Sequence, residues 1–397
     1  MRVLILAPHP FYQDRGTPIA VNLLIRALTE RGDTVDILTF HEGSDPTHEG
    51  LTIHRIAAPL FGKVRNVRPG PSWKKIVCDV YLMGRLFGLL RRHRYDVIHA
   101  VEESAFMAMV VGPLFSVPFI FDIDSSLTTQ VVDKYRPLKV IEKPLRYLES
   151  LPARRAVAVL PVCQALATDV ARYPVQHMAV LKDVSLLTEQ PDDADVEDLR
   201  ATLEIDGTVA MYIGNLEPYQ GIDLLLESFA EISDETPDTH LVVIGGEADD
   251  INHYRKRADT LRIGARTHFI GKRPVARIGA FMAQAQVLVS PRLQGVNTPM
   301  KVYTYLHSGI AVLATDLPTH TQVMTDDIAC LAPPEPSAFG MALRRLINDP
   351  ELRARLAHQA RDYIEREHSY PAFKSTLYGV YDHVKTRLPN ADPREAG

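Results

Sequence analysis

Short apolar runs alternate along the chain with stretches in which apolar residues recur every three or four positions. Residues 3–7 (VLILA) form the first run, residues 19–31 the first helical stretch and residues 34–39 the second run. A run of about five apolar residues is too short for a helix and reads as a strand buried on both faces, whereas the 3.6-residue period marks a helix with one apolar stripe. This alternation is the grammar of β-α-β units, which build a parallel sheet covered by helices. It continues through runs at 97–100, 119–123 and 156–161. The segment 183–199, DVSLLTEQPDDADVEDL, is acidic, contains no strand-like run and reads as a linker. Beyond it the grammar restarts, with strands expected at 209–213, 241–245, 268–270, 287–290 and 311–314. The pattern predicts two Rossmann-like α/β domains in tandem, divided between residues 184 and 185. The longest apolar stretch, 105–121, is interrupted by Pro113, Ser116 and Pro118, and reads as a helix, a turn and a buried strand, not a membrane span.

Composition narrows the reading. A length of 397 residues fits two domains, and 46% hydrophobic with 23% charged residues excludes disordered and collagen-like chains. The formal charge of −5 supplies no overall drive toward nucleic acid. Residues 63–95 run against that total, with nine basic residues and one acid, Asp79. The only tryptophan, Trp73, lies there beside Lys74 and Lys75, ahead of an apolar-rich helix, a composition suited to docking on an anionic membrane surface. The alternative is a solvated basic face with Trp73 in the core. Cys78, Cys163 and Cys330 are widely spaced, odd in number and outside any C-x-x-C pattern, so neither a disulfide framework nor a zinc site is expected. The first apolar run ends at Pro8-His9-Pro10, too soon for a secretory leader. These features predict a cytoplasmic protein, with peripheral attachment to the inner face of the cell membrane through residues 63–95.

Open parallel sheets bind ligands beyond the carboxyl ends of their strands, so the loops there hold the candidate chemistry. The loop after the first strand reads PHPFYQDRGTPIAV. Gly16 allows close approach of the backbone, Thr17 is the expected N-cap, Pro18 the first helical residue, and Arg15 adds positive charge beside a helix start that favours anions. The second half repeats this device in GNLEPYQGIDLLL, SPRLQGVNTPMKVYTYLHSG and TDLPTHTQV. In the middle loop Thr298 is the expected cap, Pro299 the first helical residue, and Gly309 the terminator. Lys301 falls in the first turn, where it opposes the helix dipole, so an anionic ligand explains it better than stability does. Asp122 and Asp124 alternate at one strand end and share a face, followed by Ser125 and Ser126. His99, Glu102 and Glu103 end the preceding strand. Such a cluster suits hydroxyl recognition or general-base help, with helix capping by Asp124 or Ser125 as the alternative for one of them. The chain has no G-x-G-x-x-G, P-loop, G-x-S-x-G or H-E-x-x-H motif, which argues against a dinucleotide oxidoreductase, a P-loop kinase, an α/β-hydrolase and a zinc protease.

The segments RGTPIAV, AMYIGNLEPYQGIDLLLESF, LVSPRLQGVNTPMKVYTYLHSGIAVLATD and EREHSYPAFKSTLYGVYDHV, in this order and spacing, resemble the retaining GT-B glycosyltransferases of family 4. The resemblance covers nearly the whole chain. It implies an acceptor-side domain (1–184), a donor-side domain (185–365), a cleft between them and a closing helix (366–390) that packs back on the first domain. It further implies a nucleotide-sugar donor, a hydroxyl acceptor such as a lipid-linked or envelope glycan, no cofactor or metal, and a leaving diphosphate that helps deprotonate the acceptor. The protein's task is then electrostatic stabilisation of the leaving group.

Four positions depart from the family pattern. Asn215 and Gln220 stand where the family usually places an arginine and a lysine on the diphosphate, Thr304 where a glutamate holds the ribose, and Asp124 where a histidine lies on the acceptor-side loop. Loss of two such cations removes charge-assisted hydrogen bonds of about 1.5 to 3 kcal/mol each. Arg292, Lys301 and Lys272 are the expected substitutes, with Asn297, Thr298 and residues 319–322 as neutral donors. Glu217 would repel a diphosphate unless turned away. The expected site thus comprises Asp124, Lys301 and Arg292 as catalytic residues; Gly16, Thr17, Gly214, Asn215, Gln220, Lys272, Asn297, Thr298 and Thr304 toward the donor; and Arg15, His99, Glu102, Asp122 and Ser125 toward the acceptor. The competing reading is a GT-B protein that binds a nucleotide or glycan without catalysis.

Overall fold

The computed structural model describes residues 1–13, 16–67, 72–134, 136–187, 197–295 and 298–388. The chain divides into two units, Met1–Lys182 with the segment from Phe373 onward, and Asp183–Ala372. In the first, strands β1 (Arg2–Ala7), β2 (Thr34–Thr39), β3 (Leu51–Arg55), β4 (Val97–Val101), β5 (Phe119–Ile123) and β6 (Ala158–Pro161) form one sheet of order β3-β2-β1-β4-β5-β6. Every pairing is parallel, with Leu6 opposite both Leu38 and Ala100. The run Val3 to Ala7 is fully buried, as a strand covered by helices on both faces requires. The helices that concern the site are α1 (Gly16–Glu30), α2 (Trp73–Arg92), α3 (Ser104–Val111), α4 (Leu127–Lys134) and α5 (Glu142–Arg155).

The second unit repeats the plan. Strands β7 (Thr208–Ile213), β8 (Thr239–Ile244), β9 (Thr267–Gly271), β10 (Val287–Ser290), β11 (Ala311–Thr315) and β12 (Cys330–Ala332) are ordered β12-β11-β10-β7-β8-β9, all parallel. Helices α6 (Ile222–Ile232) and α7 (Met300–His307) follow β7 and β10. Both sheets therefore have the doubly wound order 3-2-1-4-5-6, which reverses direction between β1 and β4 and between β7 and β10. The loops leaving those four strands carry most of the expected site residues.

Two strands escaped the sequence pattern, β3 and β12. Both are edge strands with half-exposed residues, so neither needs the continuous apolar run that identifies a central strand. The stretch 105–121 is α3, a short 3-10 turn over Gly112–Phe115 and β5, and Ser116 takes a left-handed conformation at the turn.

The last helix, α8 (Tyr370–Lys385), is held to the first unit by side chains along one face. Tyr378 Oη donates to the Ala27 carbonyl at 3.0 Å, Lys374 pairs with Glu30 at 3.1 Å, and Asp382 pairs with Arg31. Tyr381 is completely buried. Truncating a buried aromatic removes its burial and leaves a cavity, so Tyr381→Ala should lower stability by about 3 to 5 kcal/mol in denaturant unfolding. Tyr147→Ala, at an exposed position, should stay within about 0.5 kcal/mol of the parent.

Candidate active site

In the second unit, Lys301 lies in the first turn of α7, beside the loop that leaves β7. Its Nζ is 3.1 Å from the Gln220 amide oxygen and 4.1 Å from the centre of the Tyr212 ring. Gly214 makes this approach possible, because a Cβ there would stand 3.0 Å from Nζ and 2.7 Å from Tyr212 Oη. The residue is half-buried overall, but its ammonium is surrounded by protein. Desolvation, reinforced by the charge of Arg292, pulls its pKa well below 10.5. Among the described residues no carboxylate lies within ion-pair distance of it.

Arg292 follows β10 and supplies the second cation. Its guanidinium lies 5.4 Å from the Tyr219 ring, and its Nε donates to the Gln294 carbonyl at 2.6 Å. Gly295 leaves room for it, since a Cβ there would meet the guanidinium at 2.1 Å. Burial lowers the Arg292 pKa as well. Below both cations, His320 ties the ends of β10 and β11 together. Its Nδ1 lies 3.0 Å from the Thr315 carbonyl, to which it donates, so Nε2 accepts from Ser290 Oγ at 2.8 Å. Desolvation, opposed by the Thr315 bond and reinforced by Lys301 and Arg292, brings the His320 pKa down to about 4 and keeps the ring neutral.

Thr298 sits where it was expected, but its role is different. Helix α7 starts at Met300, and Pro299, in extended conformation, takes the junction that Thr298 was expected to cap. The Thr298 side chain is buried, and Oγ1 has no hydrogen-bond partner among the described residues. Four features therefore collect at the ends of β7 and β10: two cations without a counter-ion among the described residues, a hydroxyl without a partner among them, the amide of Gln220, and the start of α7. Helix starts and desolvated cations are favourable surroundings for an anion. Asn215 is exposed on the same loop, with its carbonyl accepting from Tyr212 Oη at 2.6 Å. Glu217 is exposed too.

Other expected donor residues lie elsewhere. Lys272 pairs with Glu247 on the exposed surface beyond β9. Thr304, one turn beyond Lys301, is buried and accepts from the Leu186 amide at 3.2 Å, so its hydroxyl serves the linker backbone. Helix α1 already includes Gly16, which places Thr17 inside its first turn and not at the cap. Arg15 and Asn297 lie outside the described residues.

The first unit holds a second cluster, at the ends of β1, β4 and β5. His99 is fully buried, with Nε2 at 3.2 Å from Asp122 Oδ2 and Nδ1 at 2.9 Å from Tyr381 Oη. An ionised Asp122 can only accept, so the His99 proton sits on Nε2 and Tyr381 donates to Nδ1. Ser125 Oγ donates to Glu102 at 3.0 Å, and Glu102 has a left-handed backbone, an uncommon state for a non-glycine residue. Asp124 follows, half-buried, one residue past the end of β5. Glu149 of α5 accepts from the Leu127 amide, the first of α4, at 2.7 Å and from Ser126 Oγ at 3.0 Å.

Glu103, expected here from the sequence, is joined by Lys75, Asp79 and His9, which the sequence did not assign to this cluster. Lys75 reaches from α2 to Glu103 at 2.6 Å and Glu102 at 3.8 Å. Burial opposes its charge, but the two carboxylates outweigh burial and raise its pKa. Desolvation, with the Glu103 charge, lifts Asp79 to about 8 against the pull of Lys75. Burial lowers His9 to about 4; its Nδ1 faces the Pro10 carbonyl at 3.1 Å, and Nε2 has no partner among the described residues. The only sequence signal for Lys75 was its membership of the basic run, which gave no hint that it points inward. Lys75, Asp79, Glu102, Glu103 and Ser125 line a cavity of about 280 Å³. Among the described residues no group of three or more His, Cys, Asp or Glu side chains is placed to hold a metal ion.

Comparison with known proteins bears on both clusters. A family described as "Glycosyl transferase 4-like domain" matches residues 15–181, and one described as "Glycosyl transferases group 1" matches residues 195–363. The phosphatidyl-myo-inositol mannosyltransferase of Mycolicibacterium smegmatis is 24% identical over 400 residues, covering 97% of this chain and 94% of that protein. Among solved structures, sucrose-phosphate synthase from Thermosynechococcus elongatus matches with a TM-score of 0.75 at 17% identity, over 97% of this chain and 99% of its own. Anabaena HepE in complex with UDP-glucose matches with a TM-score of 0.73 at 15% identity, over 96% and 99%. The structural likenesses give the fold as GT-B, and the two family matches together take in most of both units. The chain belongs to the group 1, 4-like glycosyltransferases.

Proposed function

We propose that the second unit holds a nucleotide-sugar donor by its diphosphate and that the sugar is transferred, with retention of configuration, to a hydroxyl of an acceptor held by the first unit. The observation that carries this reading is the pair Lys301 and Arg292, two desolvated cations beside an unpaired Thr298 hydroxyl at the strand ends where open parallel sheets bind ligands. A diphosphate would supply the missing counter-charge. As the bond from the anomeric carbon to phosphate oxygen breaks, negative charge gathers on the leaving group, and cations fixed in a low-dielectric pocket stabilise it most at that stage. The acceptor oxygen bonds to the anomeric carbon on the same face, and its proton passes to a leaving phosphate oxygen. No strong protein base is then required. Asp122, oriented by His99, and Asp124 are left to hold and orient the acceptor hydroxyls. The UDP-glucose in the HepE complex supports a nucleotide-sugar donor.

The acceptor in this reading is lipid-linked, reached at the inner face of the cell membrane. Helix α2 exposes Trp73 (61%), Ile76 (65%) and Val80 (68%) at helical spacing, so Trp73 is not part of the core. Lys74, Arg85, Arg91 and Arg92 lie on the same helix, and Phe61 is fully exposed before it. An exposed apolar stripe with basic neighbours suits an anionic lipid interface. Among the described residues no helix is long and apolar enough to cross a membrane. The name of the Mycolicibacterium smegmatis relative, a phosphatidyl-myo-inositol mannosyltransferase, supports a lipid acceptor.

Calorimetric titration with a panel of nucleotide sugars tests the donor site. One member should bind, and Lys301→Met should weaken it by about 10- to 150-fold, the equivalent of one charge-assisted contact of about 1.5 to 3 kcal/mol. Unchanged affinity in Lys301→Met and Arg292→Met would remove the proposed site. For the membrane face, the protein should cosediment with vesicles containing anionic lipid more than with neutral ones, and a Trp73→Ser/Ile76→Ser double variant should lose that preference. Equal sedimentation with both vesicle types would count against membrane docking.

A further inference from the structure

Behind the polar cavity at the acceptor cluster lies a second one, of about 320 Å³, between α4 and α5. The two share Phe106, Leu127 and Glu149 in their walls, so they adjoin within the first unit. Their linings differ in charge. The first combines the ionisable groups Lys75, Asp79, Glu102 and Glu103 and the Ser125 hydroxyl with the apolar Ile76, Phe106, Phe121 and Leu127. The second is faced by Phe106, Leu127, Val131, Leu145 and Leu148, with Thr128 and Glu149 as its polar members, and Glu149 already accepts from the Leu127 amide and Ser126 Oγ. A wall that is mainly carbon offers water few of the two to four polar partners it needs, so such a space suits an apolar group. Leu148 is half exposed at its rim, beside the exposed Tyr147 and Ile141, which extends the apolar character to the surface.

Given the reading above that the first unit holds the acceptor, we infer that the acceptor is an amphiphile whose hydroxyl-bearing head occupies the polar cavity and whose hydrocarbon tail enters the apolar cavity between α4 and α5. The juxtaposition specifies a molecule with both parts. A free sugar would leave the mainly apolar space without a complementary group, and a simple hydrocarbon would set carbon against the charged groups of the first cavity. This site is also distinct from the outward face of α2, because Val131, Leu145 and Leu148 belong to other helices and surround the tail instead of lying on a bilayer.

Binding of n-alkyl β-D-glucosides with tails of four to ten carbons, each below its micellar concentration, tests the inference. Affinity should rise by about fourfold per methylene until the cavity is full and then level off, the factor that corresponds to about 0.8 kcal/mol per buried CH₂. Leu145→Trp, which fills the cavity, should flatten the series. Leu148→Gln at the half-exposed rim, which is tolerant of change, should weaken the octyl probe by at least fivefold even if the tryptophan variant folds poorly. Affinity independent of tail length would overturn the inference. So would a tail dependence that survives both cavity variants but disappears in Trp73→Ser/Val80→Ser, since the tail would then lie on α2. Nucleotide-sugar binding, read on the same samples, separates these results from failure of the donor site: an intact donor titration with a flat alkyl series rejects the tail cavity alone.

Discussion

An ammonium group enclosed by an aromatic ring, an amide oxygen and the bare Cα of a glycine, with a guanidinium beside it and, among the described residues, no carboxylate in reach, is an expensive arrangement. The desolvation of Lys301 is resolved in one of two ways: the side chain gives up its proton, or an anion joins it. Much of the surrounding structure serves to hold this state. Gly214 and Gly295 make room for the two cations, Tyr212 forms the floor under Nζ, and neutral His320 locks β10 to β11 below them. These side chains come from strands on either side of the point where the sheet order reverses, so the doubly wound topology itself brings them together.

The acceptor cluster is built on a different electrostatic principle. Here carboxylates outnumber cations, and Lys75 is shared between Glu102 and Glu103 while burial keeps Asp79 protonated to about pH 8. His99 is held between Asp122 and Tyr381, and Tyr381 belongs to the last helix of the chain. The returning helix thus does more than close the fold, since its buried tyrosine supplies the second hydrogen-bond partner of a histidine at the strand end.

Much of this was legible in the sequence. Central strands announced themselves because burial on both faces demands continuous apolar runs, and the loops after β7 and β10 stood out through glycine and proline punctuation. The anomaly of Lys301 in a first helical turn was likewise visible, because it contradicts the helix dipole. What escaped depends on direction in three dimensions. Lys75 and Lys74 are neighbours in one basic run, yet Lys75 turns inward to a carboxylate pair while Lys74 donates to the Arg65 carbonyl. Thr304 occupies a position that the family resemblance marked for the ribose, but its hydroxyl meets the Leu186 amide. Glu149 caps α4 from a different helix, a pairing that no local pattern encodes.

The central claim, that the donor site is an uncompensated cation pair awaiting an anion, has a direct thermodynamic signature. A lysine whose pKa is depressed in the free protein and restored beside a diphosphate takes up a proton on binding at pH values between the two. Calorimetric titration of UDP over a pH series, in two buffers of different ionisation enthalpy, measures that number. The account predicts net proton uptake that grows as pH rises into that window and disappears in Lys301→Met; binding with no proton uptake across the series, or with uptake unchanged in the variant, would contradict it.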